Sequence, residues 1–225
     1  MKAFTLLFSL PFISGFPLGA KDELWPGWLG PERNGRVEWF KPPAEWPDKL
    51  RPKWKVKVGS GYGTPIVAEG KILVHSRQGD KEIVRALETD SGKSLWHKAY
   101  PVAFKMGGGG ERHGKGPKDN PSYSDGRLFT TSISGMLSAW DADSGKLLWR
   151  KVPGRRFGQS HAHWGASNSP LVLGDRIVNL FGNEEAGALM GLDVASGERI
   201  WSTGNDGTCY SSPFSVEVLR PQAKG

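Results

Sequence analysis

Three stretches decide the fold: ALETDSGKSLW from Ala86 to Trp96, AWDADSGKLLW from Ala139 to Trp149, and GLDVASGERIW from Gly191 to Trp201. They align without a gap. Each carries an acid at its third position (Glu88, Asp141, Asp193), then Ser-Gly (Ser91-Gly92, Ser144-Gly145, Ser196-Gly197), and closes on tryptophan. The tryptophans stand 53 and 52 residues apart. Upstream, a second block recurs in each unit: PIVAEGKILV from Pro65, PSYSDGRLFT from Pro121 and PLVLGDRIVN from Pro170. A fourth copy opens with PFSVEV at Pro213. A fixed period of about 50 residues marks a repeat architecture, in which one supersecondary unit stacks on the next.

The chemistry of one unit spells strands and tight turns. Apolar, β-branched runs such as Ile72-Leu73-Val74 and Ile177-Val178 are strand-forming. Glu69-Gly70, Asp125-Gly126 and Gly174-Asp175 supply the positive φ that two-residue hairpins require. The glycine of each Ser-Gly pair serves a further turn in the left-handed region. Each unit therefore reads as a four-stranded antiparallel sheet. The fold class expected is all-β, a partial β-propeller with blades at about 62–98, 119–151 and 168–202 and part of a fourth at 211–218. An outer strand is expected at 53–58, ahead of the first blade, and residues 219–225 form a tail. The recurrent tryptophan suits an outer strand, where its burial of roughly 150–250 Å² clamps one sheet to the next.

Composition agrees. The chain has 225 residues with 37% apolar, ten Trp, 31 Gly and 16 Pro, which excludes a disordered chain and argues against a helical bundle. Cys209 is the single cysteine, so an internal disulfide framework, a thiolate zinc site and a Cys-Cys redox pair are all excluded. The net charge is +7. Lys53, Lys55 and Lys57 alternate with Trp54, Val56 and Val58, placing the lysines on one solvent face beside Lys49 and Arg51. A second basic cluster joins Arg150, Lys151, Arg155 and Arg156. Both read as solvated faces, or as weak attraction to acidic envelope polymers, and not as nucleic-acid sites. Residues 1–20 place one charge, Lys2, before an apolar run from Ala3 to Phe16. That run is too short to span a bilayer, which needs about 20 residues. It reads as a signal peptide cut after Ala20, followed by a lead-in segment at 21–52, and no other stretch is long enough for a transmembrane segment. The expected location is exported, in the periplasm or outside the cell.

The eleven-residue motif resembles the tryptophan-docking motif of the pyrroloquinoline-quinone (PQQ) repeat propellers, and WPGWLGPERNGRVEW from Trp25 resembles the lead-in of exported members. In motif terms Trp54, Gly92, Trp96, Gly145, Trp149, Gly197 and Trp201 are the structural set. The resemblance implies a ring of seven or eight blades. At about 50 residues per blade, this length supplies three and part of a fourth. The chain is accordingly expected to be a truncated reading of a longer protein or one half of an assembled ring. Missing blades or a second copy would then close it.

Long loops joining an outer strand to the next inner strand open on one face, which is where binding is expected. The candidate ligand face comprises Arg112, His113, Arg155, Arg156, His161, His163, Trp164, Asn168 and Tyr210. In MGGGGERHGKGPK, Gly109, Gly114 and Lys115 match a P-loop spacing, but Gly116 replaces the hydroxyl residue and no helix pattern follows. His161 and His163 lie two apart, a spacing that suits a metal with His113, Glu111 or Asp206, or simply packing beside Trp164. Asp141-Ala142-Asp143 mimics a calcium loop whose later acid is replaced by Val152, so it reads as a turn. No catalytic or metal-binding residue is assigned. The function expected is a binding or scaffold module of the cell envelope, holding a protein or acidic polymer on the loop face without a cofactor. The alternative is a PQQ- and calcium-dependent alcohol or sugar dehydrogenase. The resemblance would then ask for a Trp (Trp164), a vicinal Cys pair that Cys209 alone cannot form, and a calcium set near Asn168 and Asp206.

Overall fold

A computed structural model describes residues 24–37, 39–152, 162–207 and 210–216. Three sheets form in order along the chain, each a four-stranded antiparallel meander. The first is β1 (Ile66–Ala68), β2 (Lys71–Gln78), β3 (Lys81–Glu88) and β4 (Ser94–Pro101). The second is β5 (Ser122–Ser124), β6 (Arg127–Thr131), β7 (Leu137–Asp141) and β8 (Leu147–Lys151). The third is β9 (Leu171–Leu173), β10 (Arg176–Gly182), β11 (Gly187–Asp193) and β12 (Arg199–Thr203). Among the described residues the helical structure is one 3-10 turn, Glu111–His113. The sequence alignment is repeated in the register. Each sheet carries a β-bulge between the first and second motif positions, at Ala86/Leu87, Ala139/Trp140 and Gly191/Leu192. A bulge at the same place strengthens the twist of every sheet equally.

The turns follow from residue chemistry. Glu69 and Gly70 (φ 48° and 71°), and Asp125 and Gly126 (47° and 74°), take the paired positive φ of a type I′ hairpin. At the motif turn, the Asp141 carboxylate accepts from the Ser144 amide at 2.8 Å and its hydroxyl at 2.6 Å. Asp193 holds Ser196 in the same way, at 2.7 and 2.8 Å. The acid of the motif is thus a turn-closing acceptor, and the calcium-loop lookalike is a hairpin.

Packing between sheets is carried by the tryptophans. Trp54 Nε1 donates to the Thr89 carbonyl at 2.9 Å, Trp96 to Ala142 at 3.0 Å and Trp149 to Val194 at 2.9 Å, always the fourth motif position of the next unit. The rings lie flat on Gly92, Gly145 and Gly197. A Cβ on those glycines would come within 2.6, 2.5 and 2.6 Å of the indole. Trp201 instead folds over Gly191 of its own sheet. One apolar core fills the space between the first and second sheets, around Ile66, Leu73, Trp96, Leu128 and Trp140. Another, around Phe129, Leu137, Ile177, Phe181 and Leu192, fills the space between the second and third.

A second link runs around the inner strands. The amide of Thr64 donates to Asn120 Oδ1 at 3.0 Å, that of Asn120 to Ser169 Oγ at 2.9 Å, and that of Ser169 to Ser212 Oγ at 2.8 Å. Each is the residue before the proline that opens its unit, so the segment from Pro213 joins the same series. The lead-in closes over these strands. Trp25 pairs with Val67, the Tyr123 amide donates to the Pro26 carbonyl, and the Arg33 guanidinium reaches the Pro170 and Pro213 carbonyls at 3.2 and 3.0 Å.

The stretch 53–58 differs from its aligned strands. It keeps the docked Trp54 but forms no ladder, because no inner strand of its own lies beside it. It covers the free face of the first sheet instead, with the Val58 carbonyl accepting from Ser76 Oγ at 2.7 Å and Arg85 Nη2 at 3.0 Å. The solvated-face expectation for Arg150 is corrected. Its guanidinium lies 4.1 Å from the Tyr100 ring centroid and 5.3 Å from that of Trp140, and Nε donates to Ser138 Oγ at 2.9 Å. Projecting from β8 toward two aromatic faces of the preceding core, it makes cation–π contact with both rings.

Candidate functional site

The loop after β4 is held from below by Val102, Phe104 and Met106, all buried in the first core. Above that anchor its glycines let the next loop approach. A Cβ on Gly107 would fall 2.2 Å from the His163 ring, and one on Gly110 would fall 2.9 Å from Trp164. The glycine run is therefore a seat for two aromatic rings, which explains its composition without any phosphate. The Gly107 amide donates to the His163 carbonyl at 3.0 Å, fixing the two loops together.

The result is a cavity of about 430 Å³ lined by Tyr62, Gly109, Arg112, His113, Lys118 and Trp164. Tyr62 donates its hydroxyl to the His113 carbonyl, which pins the 3-10 turn against one wall. Arg112 Nε approaches His113 Nε2 at 3.3 Å. Lys118 Nζ stands 5.9 Å from the Tyr62 ring centroid, and partial burial pulls its pKa below the ordinary lysine value. On the far side Trp164 stacks on Tyr210, ring centroids 5.8 Å apart. Tyr210 donates to Glu184 at 3.1 Å, and the His163 amide donates to the same carboxylate oxygen. Burial alone would raise the Glu184 pKa; these donors outweigh it and hold it below the usual range.

Of the residues expected on this face, Arg112, His113, Trp164 and Tyr210 come together. His163 sits behind them, in a neighbouring hollow with Phe104 and Met106. Asn168 does not join them. It is buried, and its side-chain amide nitrogen donates to Asn179 Oδ1 at 2.6 Å inside the third unit. Arg155, Arg156, His161 and Cys209 lie outside the described residues. Among the described residues no three His, Cys, Asp or Glu side chains are arranged to hold a metal ion, and no helix is long and apolar enough to cross a membrane.

Beneath the loop face lies a charged cluster that the sequence reading missed. His75, Glu82, Tyr100 and Asp119 are all buried between the first and second sheets. His75 Nδ1 is 3.1 Å from Asp119 Oδ1, and its Nε2 is 3.1 Å from Glu82 Oε2 and 3.0 Å from the Tyr100 hydroxyl. The remaining carboxylate oxygens accept from the second unit: Glu82 from the Ile133 amide at 2.9 Å and Asp119 from the Thr131 amide at 2.8 Å. Burial alone would lower the His75 pKa, but the charges and hydrogen bonds of Asp119 and Glu82 reverse this and push it up to about 9. The ring is therefore an imidazolium donating on both sides. Burial, then Glu82, pushes the Tyr100 hydroxyl well above its ordinary value, so it stays a donor, at 2.9 Å to Glu82. Burial also raises the Asp119 pKa, against the pull of His75.

The pH consequence has a definite sign. A folded-state pKa of about 9 against an ordinary 6.5 means that the His75 contribution is complete below pH 6.5. It is lost as pH rises through 9. Urea titrations between those limits should show stability falling at up to about 1.4 kcal/mol per pH unit, and in His75→Gln the fall should vanish. A flat profile in the parent protein would contradict the imidazolium assignment.

A PQQ-repeat family model described as outer membrane protein assembly factor BamB matches residues 80–220, more than half of the chain. The chain belongs to this PQQ-repeat family. Its propeller membership accounts for the three docked tryptophans and the equivalent bulges. The BamB of Shewanella oneidensis is 27% identical over 154 residues, covering 66% of this chain and 35% of that protein. A polyvinylalcohol dehydrogenase of Sphingopyxis is 29% identical over 203 residues, covering 82% and 28%. The chain thus spans about a third of the length of the curated PQQ-repeat relatives it matches. Among solved structures, a europium-containing methanol dehydrogenase aligns with TM-score 0.49 and 22% identity, over 64% of this chain and 24% of that one.

Proposed function

We propose that the chain is an exported binding module of the cell envelope, holding a protein partner on its loop face. One observation carries this reading: Tyr62, Trp164 and Tyr210 are 58, 48 and 43% exposed, side by side, with Arg112, His113 and Lys118 among them. Aromatic and arginine side chains at the centre of a patch are what protein interfaces use as anchors. The family description and the Shewanella relative, both named for outer membrane protein assembly, support a protein partner and an exported location. A dehydrogenase relative supports the second reading, a PQQ- and calcium-dependent oxidation of an alcohol or sugar.

A photo-cross-linking amino acid placed at Trp164, and as a control at Leu148 on the exposed side of β8, separates the two. In intact cells a discrete protein adduct is expected from position 164 and none from 148. Equal labelling at both positions, or none at 164, would sink the module reading. Stoichiometric uptake of PQQ with calcium and dye-linked turnover of an alcohol would replace it with the enzyme.

A further inference from the structure

We infer that the cavity between the first two inter-blade loops is a side-chain receptor for an acidic polypeptide segment, taking an aromatic residue flanked by Asp or Glu. The inference rests on the module reading above and adds the chemistry of what is bound. Two of its lining residues are rings, Tyr62 and Trp164, and a third, Gly109, brings no side chain into it. A flat apolar group fits between them, where aromatic pairing adds to area burial. Arg112, His113 and Lys118 line it, with no carboxylate among the lining residues. The Glu184 carboxylate turns away, occupied by the His163 amide and the Tyr210 hydroxyl. Lys118, already partly desolvated, regains favourable energy when a carboxylate comes to it.

Exposure decides between a small molecule and a polypeptide. Pockets for small ligands bury about 70–90% of the guest. Here the lining residues Tyr62 and Trp164 are 58 and 48% exposed, so the site is open to solvent and not an enclosing pocket. A side chain carried by a larger partner brings its own cover, and the neighbouring Trp164–Tyr210 stack extends the surface on which that partner rests. The size also fits, because about 430 Å³ admits one aromatic side chain with its neighbours.

The test uses the full chain and three fluorescein-labelled peptides: one alternating Asp and Phe, one alternating Lys and Phe, and one alternating Asp and Ser. Fluorescence anisotropy at low salt should show saturable binding of the Asp/Phe peptide, at least tenfold weaker binding of the Asp/Ser peptide, and none of the Lys/Phe peptide. The Arg112→Gln/Lys118→Gln variant should weaken the Asp/Phe complex at least tenfold and flatten its salt dependence. Trp164→Ala should weaken it similarly, and Trp164→Phe should restore most of the affinity, which separates a lost wall from a damaged fold. Undiminished binding by the double variant, equal binding of all three peptides, or full competition by polygalacturonate would overturn the proposal. A cross-link at position 164 without Asp/Phe binding removes this chemistry and leaves the module standing; Asp/Phe binding without a cross-link does the reverse.

Discussion

Replacing His75 with alanine is expected to cost about 3–5 kcal/mol of stability, read as a fall in the urea midpoint at pH 6. The imidazolium is the cation between two buried carboxylates, Asp119 and Glu82, each 3.1 Å away. Removing it leaves both acids facing one another where water does not reach, and they must take up protons or open the interface between the first two sheets. Two controls locate the cause. His75→Ala combined with Glu82→Gln should recover part of the loss, since one stranded charge is gone. Tyr100→Phe should cost less, about 1–3 kcal/mol, because it deletes the hydroxyl contacts to Glu82 and His75 and leaves the ion pairs intact. A His75→Ala loss below about 1 kcal/mol would mean that the cluster is held neutral, contrary to the pKa of about 9.

Gly145→Ala is expected to be nearly as damaging, at about 2–5 kcal/mol, although it adds one methyl group. The backbone there has φ of 68°, and the new Cβ would lie 2.5 Å from the Trp96 ring, so the ring must leave its seat. Gly126 makes the comparison possible. Its φ is 74°, equally left-handed, and a Cβ there meets nothing within 4 Å. Gly126→Ala should therefore cost only the conformational strain, about 1–2 kcal/mol. The difference between the two substitutions measures the docking. In Trp96→Ala the Gly145→Ala effect should shrink to the Gly126→Ala value, a non-additivity expected of residues in contact. Equal losses at the two glycines in the parent protein would remove docking from the account.

The architecture was legible because its determinants are local and repeated. The acid, Ser-Gly and tryptophan recur at one spacing, and each has a single structural use: acceptor, left-handed turn, docked ring. The outer strand at 53–58 was half legible. Trp54 docks as its alignment implies, but a ladder needs a hydrogen-bonding neighbour, which local sequence does not report. The candidate face was legible as a location, since long inter-blade loops share one side of a propeller. Its inner construction was not. Tyr62 and Lys118 enter the cavity from segments that carry no motif, and Glu184, from the β10–β11 turn, holds the His163 amide and Tyr210 beside it. The glycine run after Met106 reads in sequence as a loop, whereas its use is to make room for His163 and Trp164. His75, Glu82 and Asp119 lie 7 and 37 residues apart along the chain and break the repeat, so alignment of the units passes over them. A histidine and a glutamate inside otherwise apolar strands were the available signal.

Because Trp54, Trp96 and Trp149 seat on the turn of the following unit, the sheet is not the piece of this protein that can be exchanged intact. A graft cut at the ends of a sheet would carry a ring away from its glycine at one join and bring a stranger to it at the other. A graft cut between β3 and β4 of one unit and the same place in the next would move Trp96 together with Gly145. Recombination between relatives, natural or engineered, should favour such offset borders, one strand out of phase with the blades the eye picks out.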